Sequence, residues 1–128
     1  MNYCFTKILT TDFDSATARV IEELKKEGFG VLTEIDMKET LKKKLDADIP
    51  KYKILGACNP AFAYKALSAE PRIGTMLPCN VVVRELEDKT IEVSAIDPMA
   101  SMMAVQNKQL EGIATGVQQK LKNVIANL

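Results

Sequence analysis

From Leu110 to the C-terminus, the apolar residues Leu110, Ile113, Ala114, Val117, Leu121, Val124, Ile125 and Leu128 recur at three- and four-residue intervals. That spacing places them along one face of a long α-helix and leaves polar residues on the other. Such a helix draws most of its stability from burying its stripe, so the rest of the chain must offer a broad apolar surface. A β-sheet covered on one face meets the requirement. Gly112 and Gly116 lie four apart on this helix, each costing about 1 kcal/mol relative to alanine. Close backbone packing against the sheet or a second subunit is the return they imply.

The preceding residues read as the strands and helices of that surface. Tyr3 to Leu9 mixes aromatic, β-branched and polar side chains as an opening strand does. Thr11-Asp12-Phe13-Asp14 supplies a capping hydroxyl with a carboxylate three positions on, followed by Phe13, Ala16, Val20, Ile21 and Leu24 at helical spacing. Gly28 closes this helix, and Phe29 to Ile35 alternates as a strand. Asp36 and Glu39 cap a short helix carrying Met37, Leu41 and Leu45 on one face, with Lys42, Lys43 and Lys44 between them. Beyond Pro50, Tyr52 to Ala57 forms a third strand. Asn59 and Pro60 then start a helix through Leu67 that Pro71 stops. Val81 to Val83 and Thr90 to Ile96 form a hairpin turned at Glu87-Asp88-Lys89. A methionine-rich connection follows Asp97-Pro98.

A chain of 128 residues suits a single domain spanning 1–128. Lys and Arg total 17 and Asp and Glu total 17, so no net charge gathers phosphates from a distance, which argues against a nucleic-acid partner. Nowhere do about 18 apolar residues run together, and the sequence begins directly with a strand-like segment. Neither export nor a membrane partner is expected. Three cysteines cannot all pair within one chain, and they read as reduced thiols of a cytoplasmic protein. The absence of histidine removes Ser-His and Cys-His catalysis within the chain.

The chemistry-bearing residues concentrate in three segments, Cys58-Asn59-Pro60, Pro78-Cys79-Asn80 and Asp97-Pro98-Met99. Cys58 and Cys79 each stand at the end of a strand beside an asparagine and near a proline. If those strands are neighbours, both thiols emerge at one edge of the sheet. A thiolate at a helix N-terminus is stabilised by the exposed amides, which favours Cys58 as the nucleophile; burial as small apolar fillers is the competing reading of both residues. Asp97, held extended by Pro98, serves as a base, as an acceptor toward the site, or simply as a turn. Met99, Met102 and Met103 offer thioethers to a soft metal such as Cu(I), giving Cys58, Cys79, Met102 and Met103 as a ligand set, although flexible packing suits methionine equally. A zinc site lacks ligands. Cys4 reads as packing, the lysine triplet as a solvated face, and Gly28-Phe29-Gly30 lacks nucleotide-loop spacing.

Four segments in order, Glu27-Gly28-Phe29-Gly30-Val31-Leu32-Thr33-Glu34-Ile35-Asp36, Ile54-Leu55-Gly56-Ala57-Cys58-Asn59-Pro60, Leu77-Pro78-Cys79-Asn80-Val81-Val82-Val83 and Ser94-Ala95-Ile96-Asp97-Pro98, resemble the motif series of the bacterial and archaeal family called domain of unknown function 302. The resemblance implies an α+β fold, a curved antiparallel sheet with packed helices of the TATA-binding-protein-like class, and a homodimer. It implies no defined reaction and no nucleic-acid role.

Three functions fit. The first is a binding domain in which Cys58, Asn59, Pro60, Cys79, Asn80 and Asp97 hold a small molecule or a soft metal in a cleft. The second is a thiol enzyme of redox or sulfur transfer, with Cys58 attacking and Cys79 resolving. The third is a structural or interaction protein with both thiols buried.

Overall fold

The computed structural model describes residues 2–128. In chain order its elements are β1 (Cys4–Leu9), α1 (Phe13–Lys26), β2 (Gly30–Asp36), α2 (Met37–Leu45), β3 (Tyr52–Cys58), α3 (Pro60–Ala69), a 3-10 turn (Pro71–Met76), β4 (Cys79–Glu85), β5 (Ile91–Ile96), α4 (Pro98–Ser101) and α5 (Lys108–Ala126). The strands form one five-stranded sheet in the order β1-β5-β4-β3-β2, every neighbouring pair antiparallel. The α+β class with an antiparallel sheet is therefore as the sequence implied.

Alternation along the strands decides which face is covered. In β4, Cys79, Val81 and Val83 are buried, and in β5 so are Ile91, Val93 and Ala95. These residues pack against Phe13, Ala16, Val20 and Leu24 of α1 and Val117, Leu121, Val124 and Ile125 of α5. Fully burying a side chain of this size contributes roughly 1.5–3 kcal/mol, so this one layer dominates the fold. The long helix meets the sheet as its stripe requires. Lys7 of β1 donates to the carbonyls of Ala126 at 3.0 Å and Leu128 at 2.7 Å, satisfying acceptors at the exposed end of α5.

Local corrections follow from capping and position. The cap of α1 is Asp12, whose carboxylate accepts from the Ser15 amide at 2.8 Å, and not the Thr11 hydroxyl. Gly28 has φ +85°, the left-handed turn that lets the Phe29 amide reach the Leu24 carbonyl. Helix α2 buries none of its residues, and Leu45 stays 72% exposed; the helix contacts β3 and takes no part in the core formed by α1, α5 and the sheet. Its lysines act as a solvated face: Lys42 pairs with Asp46 and Asp48, and Lys43 with Glu39. Strand β4 starts at Cys79, earlier than the valine run suggests, and the methionine-rich connection opens with a short helix.

Candidate functional site

The Ala57↔Cys79 pair of β3 and β4 brings the two cysteine segments together. Cys58 is the next residue along β3 and pairs with Gly30 of β2, so both thiols stand at the same end of the sheet. Gly56, paired with Asn80, allows the strands and the Pro78 loop to close. A Cβ at that position would collide with the Thr33 hydroxyl and lie 2.7 Å from Pro78 Cγ.

Helix α3 then folds over this end. Asn59 is its cap, with the side-chain oxygen 3.5 Å from the Phe62 amide and the side-chain nitrogen donating to the Glu27 carbonyl at 3.2 Å. Asn123 of α5 donates to the Glu27 carboxylate at 3.1 Å. One residue at the end of α1 thus ties α3 and α5 in place. Gly116 of α5 receives the ring of Phe62; a Cβ there would sit 2.8 Å from Cε1. The close packing inferred for the helix glycines holds at Gly116, whereas Gly112 has nothing within 4 Å.

Between α3, α5, the 3-10 turn and the sheet end lies a half-open cavity of about 330 Å³. Phe29, Leu32, Ala57, Phe62, Ala66, Leu77, Ile113 and Val117 make its wall almost wholly apolar, and Cys58, Asn59, Pro78, Cys79, Pro98 and Met102 are also among its lining residues. Leu32, 67% exposed, and Leu67, 44% exposed, stand at the rim. Leu32 falls where the β2–β3 register shifts between Val31 and Thr33, and a bulge of this kind redirects a side chain.

The sequence-derived residues divide accordingly. Cys58, Asn59, Cys79 and Met102 line the cavity. Pro60 is exposed as the first residue of α3 and lies outside it. Asn80 is also outside: next to buried Cys79 in an extended strand, it points to the opposite face, where a groove of about 430 Å³ holds it with Tyr52, Arg84 and Glu92. Cys4 lines that same groove. Asp97 caps α4 through the Met99 amide at 2.9 Å and accepts from Gln118 at 3.0 Å; its neighbour Pro98, buried, lines the cavity in its place. Met103 is 66% exposed and faces a separate groove with Met99.

Burial pushes the Cys79 thiol up to about 11, with the neighbouring Cys58 adding to the effect. Cys79 is accordingly a neutral thiol at physiological pH. The start of α3 also offers Cys58 less than a bare helix end would. Asn59 stands between them as the cap, Pro60 has no N–H, and the Phe62 amide faces the Asn59 side chain. Among the described residues, no group of three or more histidine, cysteine, aspartate or glutamate side chains is placed to hold a metal.

The chain matches the family model described as Domain of unknown function DUF302 over residues 5–128. The chain belongs to this family. A solved structure, the crystal structure of an uncharacterised conserved DUF302 protein from Bacillus stearothermophilus, resembles this chain with a TM-score of 0.90 and 28% sequence identity, covering 98% of each chain. No curated protein matches. The segments around Gly28, Cys58, Cys79 and Asp97 all lie within the matched range and converge on one end of the sheet and its flanking loops.

Sequence reasoning missed Phe29, Phe62, Ala66, Leu77 and Ile113 as cavity residues. The available signal was the Phe62, Ala63 and Ala66 face of α3, which pairs a large ring with small residues. Only the fold shows which partner they leave uncovered.

Proposed function

We propose that this DUF302 domain binds a small apolar molecule in the cavity beside Cys58 and Cys79. The observation that supports this reading is the wall itself: a half-open hollow of about 330 Å³ with nearly all of its surface apolar, the form typical of small-molecule sites. Its polar groups are few and mostly engaged, since Asn59 is committed to Glu27 and Phe62. No charged side chain lines it, so an uncharged occupant is favoured over an ionic one.

Cys58, Cys79 and Met102 all line the cavity, which supports a second occupant, a soft cation such as Cu(I). Thiol chemistry is less well supported, because the neutral Cys79 is a poor resolving nucleophile. The open sheet face, with Ile8 47% and Ile35 44% exposed, supports association of two copies into a homodimer. Three free thiols suit a reducing, cytoplasmic setting. No helix among the described residues is long and apolar enough to cross a membrane.

The test is binding of the neutral probe N-phenyl-1-naphthylamine to reduced protein, with alkylation of each cysteine followed by mass mapping. Saturable fluorescence enhancement together with slower alkylation of Cys58 is expected. Absence of both, or a probe that binds without protecting Cys58, overturns the reading. Protection by Cu(I) alone, with no probe binding, replaces the apolar occupant with the metal.

A further inference from the structure

A second hollow of about 400 Å³ adjoins the first, lined by Met99, Met103, Leu110, Glu111 and Thr115. Met102 and Ala114 line both. Ala114 contributes only a methyl group, which leaves Met102 as the larger side chain bordering both. Its backbone is pinned: the Met102 amide donates to the Pro98 carbonyl at 3.0 Å, and its carbonyl accepts from the Val105 amide at 3.0 Å. The thioether is not. It packs against the cluster of Ala66, Ile73 and Leu110, but an unbranched side chain with three rotatable bonds adapts to what lies beside it, so Met102 is the side chain whose rotation would join the two hollows.

The two hollows differ in character. The inner one, ending at Cys58 and Cys79, is apolar. The outer one adds the Glu111 carboxylate and the Thr115 hydroxyl. Thr115 already donates to the Glu111 carbonyl at 2.8 Å, while the Glu111 carboxylate has no hydrogen-bond or ion-pair partner among the described residues. It stands ready to accept a hydrogen bond.

Resting on the apolar-cavity reading above, we infer that the two hollows form one channel gated by Met102, which takes an uncharged, unbranched aliphatic chain. The terminal methyl lies toward Cys58 and Cys79, and a hydrogen-bond-donating end lies at Glu111. A fatty carboxylate is disfavoured at that end by like charge.

The experiment is displacement of N-phenyl-1-naphthylamine by straight-chain alkanols from hexanol to hexadecanol, with the matching fatty acids alongside, on the wild type, Met102→Phe and Met102→Ala. For the wild type, affinity should rise by up to about fourfold per added methylene past the length that fills the inner hollow, and each long alkanol should bind more tightly than its acid. In Met102→Phe the stiffer ring should stop that rise at the short chains, and a cooperative urea transition with an unchanged far-UV circular dichroism spectrum shows that the variant is folded. Met102→Ala should retain the rise. A wild-type series that levels off at the short chains, or a Met102→Phe series equal to the wild type, overturns the channel and leaves the inner cavity standing. Acids binding as tightly as alkanols overturn the assignment of Glu111. If no alkanol of any length displaces the probe, the apolar-cavity reading itself is wrong.

Discussion

The Phe62 ring lies against Gly116, close enough that a Cβ on the helix would be 2.8 Å from Cε1 and 3.0 Å from Cζ. Two glycines on one helix thereby have opposite reasons to be there. Gly112→Ala should stabilise the protein by up to about 1 kcal/mol, the helix-propensity difference alone. Gly116→Ala should lose that gain, because the ring must swing toward the cavity it lines, and probe affinity should fall by about tenfold or more. Urea midpoints and probe titrations on the two variants check this. Equal stabilisation with unchanged probe binding would show that the ring does not depend on Gly116.

Gly56→Ala should destabilise by about 1–3 kcal/mol through overpacking, since its methyl would meet Thr33 on one side and Pro78 on the other. Thr33→Ala combined with Gly56→Ala should recover only part of the loss, because the contact with Pro78 remains. A double-mutant cycle measured by denaturant unfolding gives the coupling. Zero coupling would mean that the two strands adjust independently.

Asn59 both caps α3 and reaches the Glu27 carbonyl. Replacing it by alanine should cost about 1 kcal/mol or somewhat more, from the cap and the lost inter-helix bond together. Asn59→Asp keeps the cap acceptor but cannot donate to Glu27, so its cost isolates the second contribution. If the aspartate variant is as stable as wild type, the bond to Glu27 contributes nothing measurable.

The raised Cys79 thiol makes a prediction about alkali. The folded state holds the proton up to about 11 against an ordinary value of 9.0, so the unfolded chain releases it first. The stability from this group is fully present below pH 9 and falls as pH rises toward 11. Under reducing conditions, wild type should lose roughly 1–3 kcal/mol more than Cys79→Ala across that interval. Urea midpoints at several pH values decide it, and parallel curves for the two proteins would remove burial as the cause.

Much of this architecture is legible in the sequence because it rests on local rules. Gly28, Asn59-Pro60 and the Leu110–Leu128 stripe mark element boundaries and a buried face, and the meeting of Cys58 with Cys79 follows once β3 and β4 are taken as neighbours. What was not legible depends on direction and on long-range packing. Asn80 was grouped with Cys79 because the strand was read as beginning at the valine run, whereas β4 already includes both residues and consecutive strand residues face opposite ways. Asp97 was read as a candidate site residue, yet it does not line the cavity and its carboxylate accepts from the Met99 amide and from Gln118. The cavity itself is an absence of atoms between α3, α5 and the sheet end, which no single segment encodes.

The pairing of β1 with β5 joins the first and last strands of the sheet, as in the Thr6–Ser94 hydroxyl contact at 2.9 Å. Strand β1 has no partner until the last strand of the sheet, β5, is available, while β2 to β5 pair with their neighbours in chain order. The N-terminal segment must therefore wait as an unpaired strand, and the sheet becomes complete only when it docks. Late closure of this kind carries the entropy cost of a long loop, and until it happens β5 rather than β1 forms one edge of the sheet.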